Sequence, residues 1–236
     1  MIARKRTVIM ISGRGSNMLV LIEAAADSTF PAEIVGVISD QPDAPGLIIA
    51  DQRKIETRII ARTDFASKEA HDAAIDAALK SLNAEIVALA GYMRLLTPAF
   101  VANWQGRMIN IHPALLPSFR GLDTHRRALE AGVKLHGATV HFVIPEVDAG
   151  PIIAQAAVPV LATDTEAVLA ARVLKHEHQL YPMALRLVAE GKARMENGRA
   201  VFALGDDIAE HAAASLTAPD LRPTAPNLED LARFTP

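Results

Sequence analysis

The chain has 236 residues, 50% of them hydrophobic and 22% charged, enough apolar surface for one α/β domain or two small ones and too much for a chain that is disordered throughout. Twenty-four Lys and Arg against twenty-seven Asp and Glu leave a formal charge of −3, which argues against a protein that coats nucleic acid with a broad basic surface and leaves a small anionic ligand open. There is no cysteine, so disulfides, thiolate nucleophiles and cysteine-ligated zinc or iron–sulfur sites are excluded.

The first apolar run, Val8–Ile11, follows Arg4-Lys5-Arg6 but is too short for a signal peptide, and no stretch reaches the roughly 20 apolar residues that span a bilayer. A cytoplasmic protein without membrane contact is expected. Thr7–Ile11 reads as a β-branched strand, Ser12–Asn17 as a glycine loop, and the apolar spacing from Met18 as a helix. Glu33–Ser39 and Thr57–Ala61 are strand candidates flanking a helix near Gly46–Arg53. Ser67 caps an Ala-rich helix to about Leu82, and Glu85–Ala90 and Arg107–Ile111 are short apolar strands of the kind covered on both faces. Strand and helix in alternation predict a doubly wound, mostly parallel sheet.

Beyond Pro113 the texture changes. A loop punctuated by Pro113, Pro117 and Gly121 leads to a helix over Thr124–Ala131; His136–Ile144 and Pro151–Leu161 then form an antiparallel, hairpin-like excursion. Thr163, with Glu166 three residues on, predicts the cap of a long helix to about Glu190 that Pro182 should kink or split and Gly191 should end. Asn197-Gly198 marks a small hairpin within Ala193–Ala203. Residues 1–204 are expected to form one domain, and 205–236 a C-terminal extension with a helix near Asp207–Leu216 and a Pro-rich tail.

Three groups of residues could carry chemistry. The Ser12-Gly13-Arg14-Gly15-Ser16-Asn17 loop lies between strand and helix, where backbone N–H groups and the helix dipole attract an anion. It lacks the third glycine of the dinucleotide fingerprint and a Walker lysine, so it suits a monophosphate, or is only a tight turn. Asn110 and His112 share one face at a strand's carboxyl end, where Asn can donate to an oxyanion and His can act as general acid or fixed positive charge; a pair of satisfied buried polar groups is the plainer alternative. Asp148 sits in a turn, and turns use Asp for local hydrogen bonds; spacing alone cannot bring it to His112. His176 and His178, two apart on a helix, face different sides and suggest no metal site. Arg120, Arg126 and Arg127 add positive potential around the loop.

Taken together, Ser12–Asn17, Gly91–Leu96, Asn110–Pro117 and Asp148–Pro151 resemble the phosphoribosylglycinamide formyltransferases, in order over about Val8–Glu190. The Asn-x-His-Pro and Asp-x-Gly motifs are shared by folate-dependent formyltransferases and hydrolases in general, and the glycine loop narrows the likeness. The resemblance implies a Rossmann-like formyltransferase fold and transfer of the formyl group of 10-formyltetrahydrofolate to the amine of phosphoribosylglycinamide, without metal or nucleic acid. It leaves room for a homodimer. By the same likeness Asn110, His112 and Asp148 match the catalytic trio. Gly15, Ser16 and Asn17 match the phosphate loop, and Glu177 a glycinamide contact. Met93, Arg94, Leu95 and Leu96, with Val143, Ile144, Pro145, Glu146 and Val147, match the walls of the folate pocket; Lys68 stands where the family commonly has Arg toward the folate glutamate. The chain departs from the family in reading Phe119-Arg120-Gly121 where Pro often precedes the Gly. A methionyl-tRNA formyltransferase would add a basic C-terminal domain and a formyltetrahydrofolate hydrolase an N-terminal one, so both are disfavoured; a non-catalytic folate or nucleotide sensor is the alternative from another class.

Overall fold

The computed structural model describes residues 3–203; the expected helix near Asp207–Leu216 and the Pro-rich tail lie outside them. Nine strands and six α-helices follow in the order β1 (Lys5–Ile11), α1 (Ser16–Ala26), β2 (Ala32–Ser39), α2 (Pro45–Gln52), β3 (Thr57–Ile59), α3 (Lys68–Ser81), β4 (Ile86–Leu89), α4 (Pro98–Asn103), β5 (Met108–His112), α5 (Thr124–Glu130), β6 (Leu135–Phe142), β7 (Ile152–Pro159), α6 (Glu166–Ala189), β8 (Ala193–Glu196) and β9 (Arg199–Phe202) among the described residues. Seven strands form one sheet in the order β3-β2-β1-β4-β5-β6-β7. The first five run parallel, while β6 pairs antiparallel with both β5 and β7.

The chain leaves β1 toward β2 on one side and returns to β4 on the other, so the carboxyl ends of β1 and β4 frame the topological switch point where open α/β sheets bind ligands. Strands β1 and β4 are buried along nearly their whole length because helices cover both faces. One core layer gathers Ile9, Ile11, Leu21, Ile109, Val140 and Tyr181 beneath α1 and α6; the other gathers Val8, Met10, Ile75, Leu79 and Trp104 beneath α3 and α4. Tyr181 is fully buried and its hydroxyl donates to the carbonyls of Leu89 (2.9 Å) and Ile109 (3.3 Å), tying α6 to the two strands beside the switch point.

Three local expectations are corrected. Helix α6 is capped by Thr165, whose hydroxyl accepts from Val168 N, and not by Thr163. Asp164 is already committed to the turn before the helix, accepting from Leu161 N and from Arg172, and this leaves Thr165 as the first residue with its side chain over the open N–H groups. Pro182 does not split α6, which runs unbroken over Glu166–Ala189. The single backbone hydrogen bond that Pro forfeits is offset by burial of Leu180, Tyr181, Ala184 and Leu185 around it. Helix α4 is absent from the expected elements; Thr97 caps it and Pro98 occupies its first position, but six residues are too few to show a helical period. The Asn197-Gly198 hairpin is present, with both residues at positive φ (49° and 73°).

Replacing Tyr181 by Phe removes one hydroxyl and two buried hydrogen bonds without changing shape. Stability should fall by about 1 kcal/mol, read as a lower urea midpoint with an unchanged denaturant slope.

Candidate active site

Strand β1 ends at Ile11, and the loop to α1 turns on Gly15, whose φ of +75° belongs to the left-handed region. A side chain at Gly15 would also meet the Cα of Gly46 at 2.9 Å, because α2 leans on the loop and Gly46 N donates to Gly13 O (3.1 Å). No side chain caps α1, so the N–H groups of its first turn are left for an anion. Asn17, in that turn, donates from Nδ2 to Glu177 Oε2 at 2.6 Å. Glu177 is buried, and burial pushes its carboxyl above the ordinary value while the Asn17 amide pulls the other way. Gly15, Ser16, Asn17 and Glu177 therefore form one cluster at the head of α1.

At the switch point a cavity of about 410 Å³ is lined by Ser12, Asp40, Gln41, Met93 and Arg94 among others. Ser12 organises it: its hydroxyl donates to buried Asp40 (2.6 Å) and accepts from Met93 N (2.9 Å), joining the ends of β1, β2 and the segment after β4. Met93 and Leu95 expose most of their surface beside it, 68% and 64%, an apolar wall facing solvent. Leu96 is half-buried against the α3–α4 core. Lys68 occupies the first turn of α3, half-buried, and lines no part of this cavity.

The third cluster sits where the sheet changes direction. Asn110 and His112 project from the same face of β5, and β6 lies antiparallel beside it, with Asn110 paired to His141 and His112 to Thr139. After β6 the chain runs through Val143–Val147 and turns back at Asp148-Ala149-Gly150. Val143 is half-buried in the core; Pro145, Glu146 and Val147 are exposed. A Cβ on Gly150 would stand 1.7 Å from the Phe142 carbonyl, so only glycine permits this closure. Asp148 itself has φ of +49°, a conformation that Asp tolerates through local hydrogen bonds and that costs of order 1 kcal/mol.

The turn delivers the carboxylate to two imidazoles. Asp148 Oδ2 lies 3.4 Å from His112 Nδ1, and Oδ1 lies 3.7 Å from His141 Nε2. His112 Nε2 donates to the carbonyl of Phe119 (3.0 Å), and the N–H of Gly121 donates to Asp148 Oδ2 (2.9 Å). A carbonyl only accepts, so Nε2 of His112 carries a hydrogen. The Pro113–Asp123 loop is held from below, since Thr139 Oγ1 donates to Ala114 O (2.7 Å) and accepts from Leu116 N (3.1 Å), and Gln155 donates to Leu116 O (2.9 Å). It is held from above by Arg127, which donates to Arg120 O and Leu122 O and stacks over Phe119. Of the arginines expected to add local positive potential, Arg126 is paired with Asp123 and Glu130 and Arg127 is spent on the loop backbone, leaving Arg120 exposed.

Sequence reasoning missed His141, which has no motif of its own and is identified by its register against Asn110. It also missed His136, whose buried ring lies edge-on to Phe119 and to His125; burial lowers the pKa of His136 to about 4.

The profile of the family described as formyl transferase matches residues 5–185, which takes in all three clusters. The chain belongs to this family. It is 43% identical over 193 residues to the phosphoribosylglycinamide formyltransferase of Escherichia coli strain K12, covering 82% of this chain and 91% of that one. It is 46% identical over 204 residues to the trifunctional purine biosynthetic protein adenosine-3 of Bos taurus, covering 86% of this chain but only 20% of that relative. The chain thus spans about a fifth of that multi-domain protein. Among solved structures, the phosphoribosylglycinamide formyltransferase of Brucella melitensis superposes with a TM-score of 0.76 at 60% identity, over 79% of this chain and 96% of that one. A formyltetrahydrofolate deformylase of Pseudomonas syringae has a TM-score of 0.78 at 28% identity and is covered to 66%. The framework is thus similar to that of a protein named as a formyltransferase and of one named as a deformylase. No helix among the described residues is long and apolar enough to cross a membrane.

The raised carboxyl of Glu177 has a consequence for stability. At about pH 3.5 the group is protonated in both folded and unfolded chains; as pH rises past the unfolded and then the folded pKa, the buried charge erodes native stability. Glu177→Gln should therefore match the parent in melting temperature at low pH and exceed it at about pH 8, a difference that thermal scans across pH would read.

Proposed function

We propose that the chain transfers the formyl group of 10-formyltetrahydrofolate to the amine of phosphoribosylglycinamide, a step of purine synthesis in the cytoplasm, with residues 1–204 as the catalytic unit. The observation that carries this reading is the convergence of Asn110, His112 and Asp148 beside the carboxyl end of β5, in a sheet where β1, two strands away, opens into an uncapped glycine loop. The family match and the high coverage of the bacterial relatives support the same chemistry.

The amine nitrogen attacks the formyl carbon, a new C–N bond forms, and negative charge gathers on the formyl oxygen. One Asn110 N–H and the His112 Nε2–H are the donors for that oxygen, each pre-organised donor of this kind being worth about 10²–10³ in rate. Asp148, already beside His112, takes the proton that leaves the amine, directly or through water, and relays that same proton to the departing folate nitrogen as the folate C–N bond breaks. For His112 to reach substrate, the Phe119 carbonyl must give up Nε2. The glycine loop holds the phosphate, and Asn17 with Glu177 faces the glycinamide end. Met93, Arg94, Leu95 and Leu96, with Val143–Val147, wall the pterin, and Lys68 supplies a point charge toward the folate glutamate without the bidentate fork of an Arg. Phosphate binding far from the reacting carbon is then spent on orientation.

Two measurements test this. Asp148→Asn keeps the turn's hydrogen bonding but not its basicity, and turnover should drop by about a thousandfold or more with a native melting temperature; near-normal turnover removes Asp148 from the mechanism. Steady-state assays with phosphoribosylglycinamide against its dephosphorylated analogue should show a large preference for the phosphorylated acceptor, and Gly15→Val should erase it, chiefly through KM. Release of formate without an acceptor amine would mark a hydrolase instead.

A further inference from the structure

His141 stands outside the trio but touches two of its members. It is buried in the middle of the β5–β6 pair, with 2% of its surface exposed. Its Nδ1 lies 2.9 Å from the carbonyl of Phe142, its Nε2 3.2 Å from Asn110 Nδ2, and the same Nε2 3.7 Å from Asp148 Oδ1. The Phe142 carbonyl can only accept, so Nδ1 carries a hydrogen. Asn110 Nδ2 can only donate, so Nε2 must be a bare lone pair. The two contacts within hydrogen-bond distance agree on one tautomer, and Asp148 Oδ1, at 3.7 Å, lies outside that distance.

We infer that His141 is a positioning residue: a neutral Nδ1–H imidazole that holds one N–H of the Asn110 amide, so that the other N–H points at the reacting oxygen. The inference rests on the donor role given to Asn110 above. The alternative state is coupled and unproductive. If Nε2 gained a proton, it would repel Asn110 Nδ2, turn the amide to present Oδ1 to the ring, and place a cation against Asp148. The carboxylate paired with that cation would be a poorer base. The groups facing the ring are Asn110 and His112 from β5 and Asp148 from the turn after β6. Burial lowers the pKa of His141, opposed by the Phe142 carbonyl and by Asp148 and assisted by His112. The ordinary function of a buried strand histidine, filling space, needs neither contact.

The test is a double-mutant cycle with a spectroscopic arm. Steady-state kinetics would be measured for the parent, Asn110→Ala, His141→Ala, the double variant and His141→Gln, whose side-chain carbonyl can accept from Asn110. His141→Ala should lower kcat roughly tenfold to a hundredfold, less than outright loss of an oxyanion donor, with KM for both substrates within about threefold. His141→Gln should recover most of that loss. The double variant should be no slower than Asn110→Ala alone, because a positioning residue has nothing left to position. Nitrogen-15 spectra of the parent's histidines should show the His141 ring with hydrogen on Nδ1 alone at neutral pH. Losses that multiply in the double variant, or a ring protonated on Nε2, would overturn the inference while leaving the trio intact. A fully active Asn110→Ala would instead overturn the donor role of Asn110, and the lock's purpose with it, while the spectra still report the tautomer independently.

Discussion

The chemistry at this site depends on an antiparallel seam. As the antiparallel partner of β5, β6 sets His141 directly across from Asn110 and ends opposite Ile109, and the segment that follows turns back at Asp148 to bring a carboxylate beside His112 and His141. Gly150 closes that turn because no Cβ fits against the Phe142 carbonyl, and Asp148 accepts a left-handed backbone in consequence. The local strain and the packing that enforces it occur where a carboxylate is held between two rings.

The glycine-loop end is built on a different principle. There the sheet is parallel, and the resource is backbone: an uncapped helix start and a glycine whose conformation and close neighbour both forbid a side chain. Helix α6 relates the two ends. Tyr181, one turn beyond Glu177, is fixed to carbonyls of β4 and β5, so the carboxylate that meets Asn17 is indexed to the strand that carries Asn110 and His112 and to its neighbour. The separation between the glycine loop and the Asn110–His112 pair is set by a helix resting on the sheet.

Much of this was legible in the sequence, for physical reasons that can be named. Buried parallel strands announce themselves as short β-branched runs, and period two put Asn110 and His112 on one face. The resemblance, carried by motifs, named Asp148 and Glu177. What stayed hidden depends on register or competition. His141 looks like any strand residue until β6 is slid against β5. Thr163 fits the capping-box spacing better than Thr165, yet Asp164 is withdrawn into the preceding turn by Arg172 and the cap moves two residues along. Pro182 obeys its local rule in losing a hydrogen bond, but a helix buried on both sides of it outweighs that loss.

The loop over His112 and Asp148 presents the site with a carbonyl from Phe119 and an N–H from Gly121, the two kinds of group that a formyl donor and an amine would bring. In the proposed reaction, substrate arrival would be an exchange of like for like, in which each new hydrogen bond takes the place of one released. Such a swap yields little net affinity at the reacting atoms, so tight association must come from the molecules' distant ends, and the catalytic groups never face the cost of sitting dry and unpartnered between turnovers.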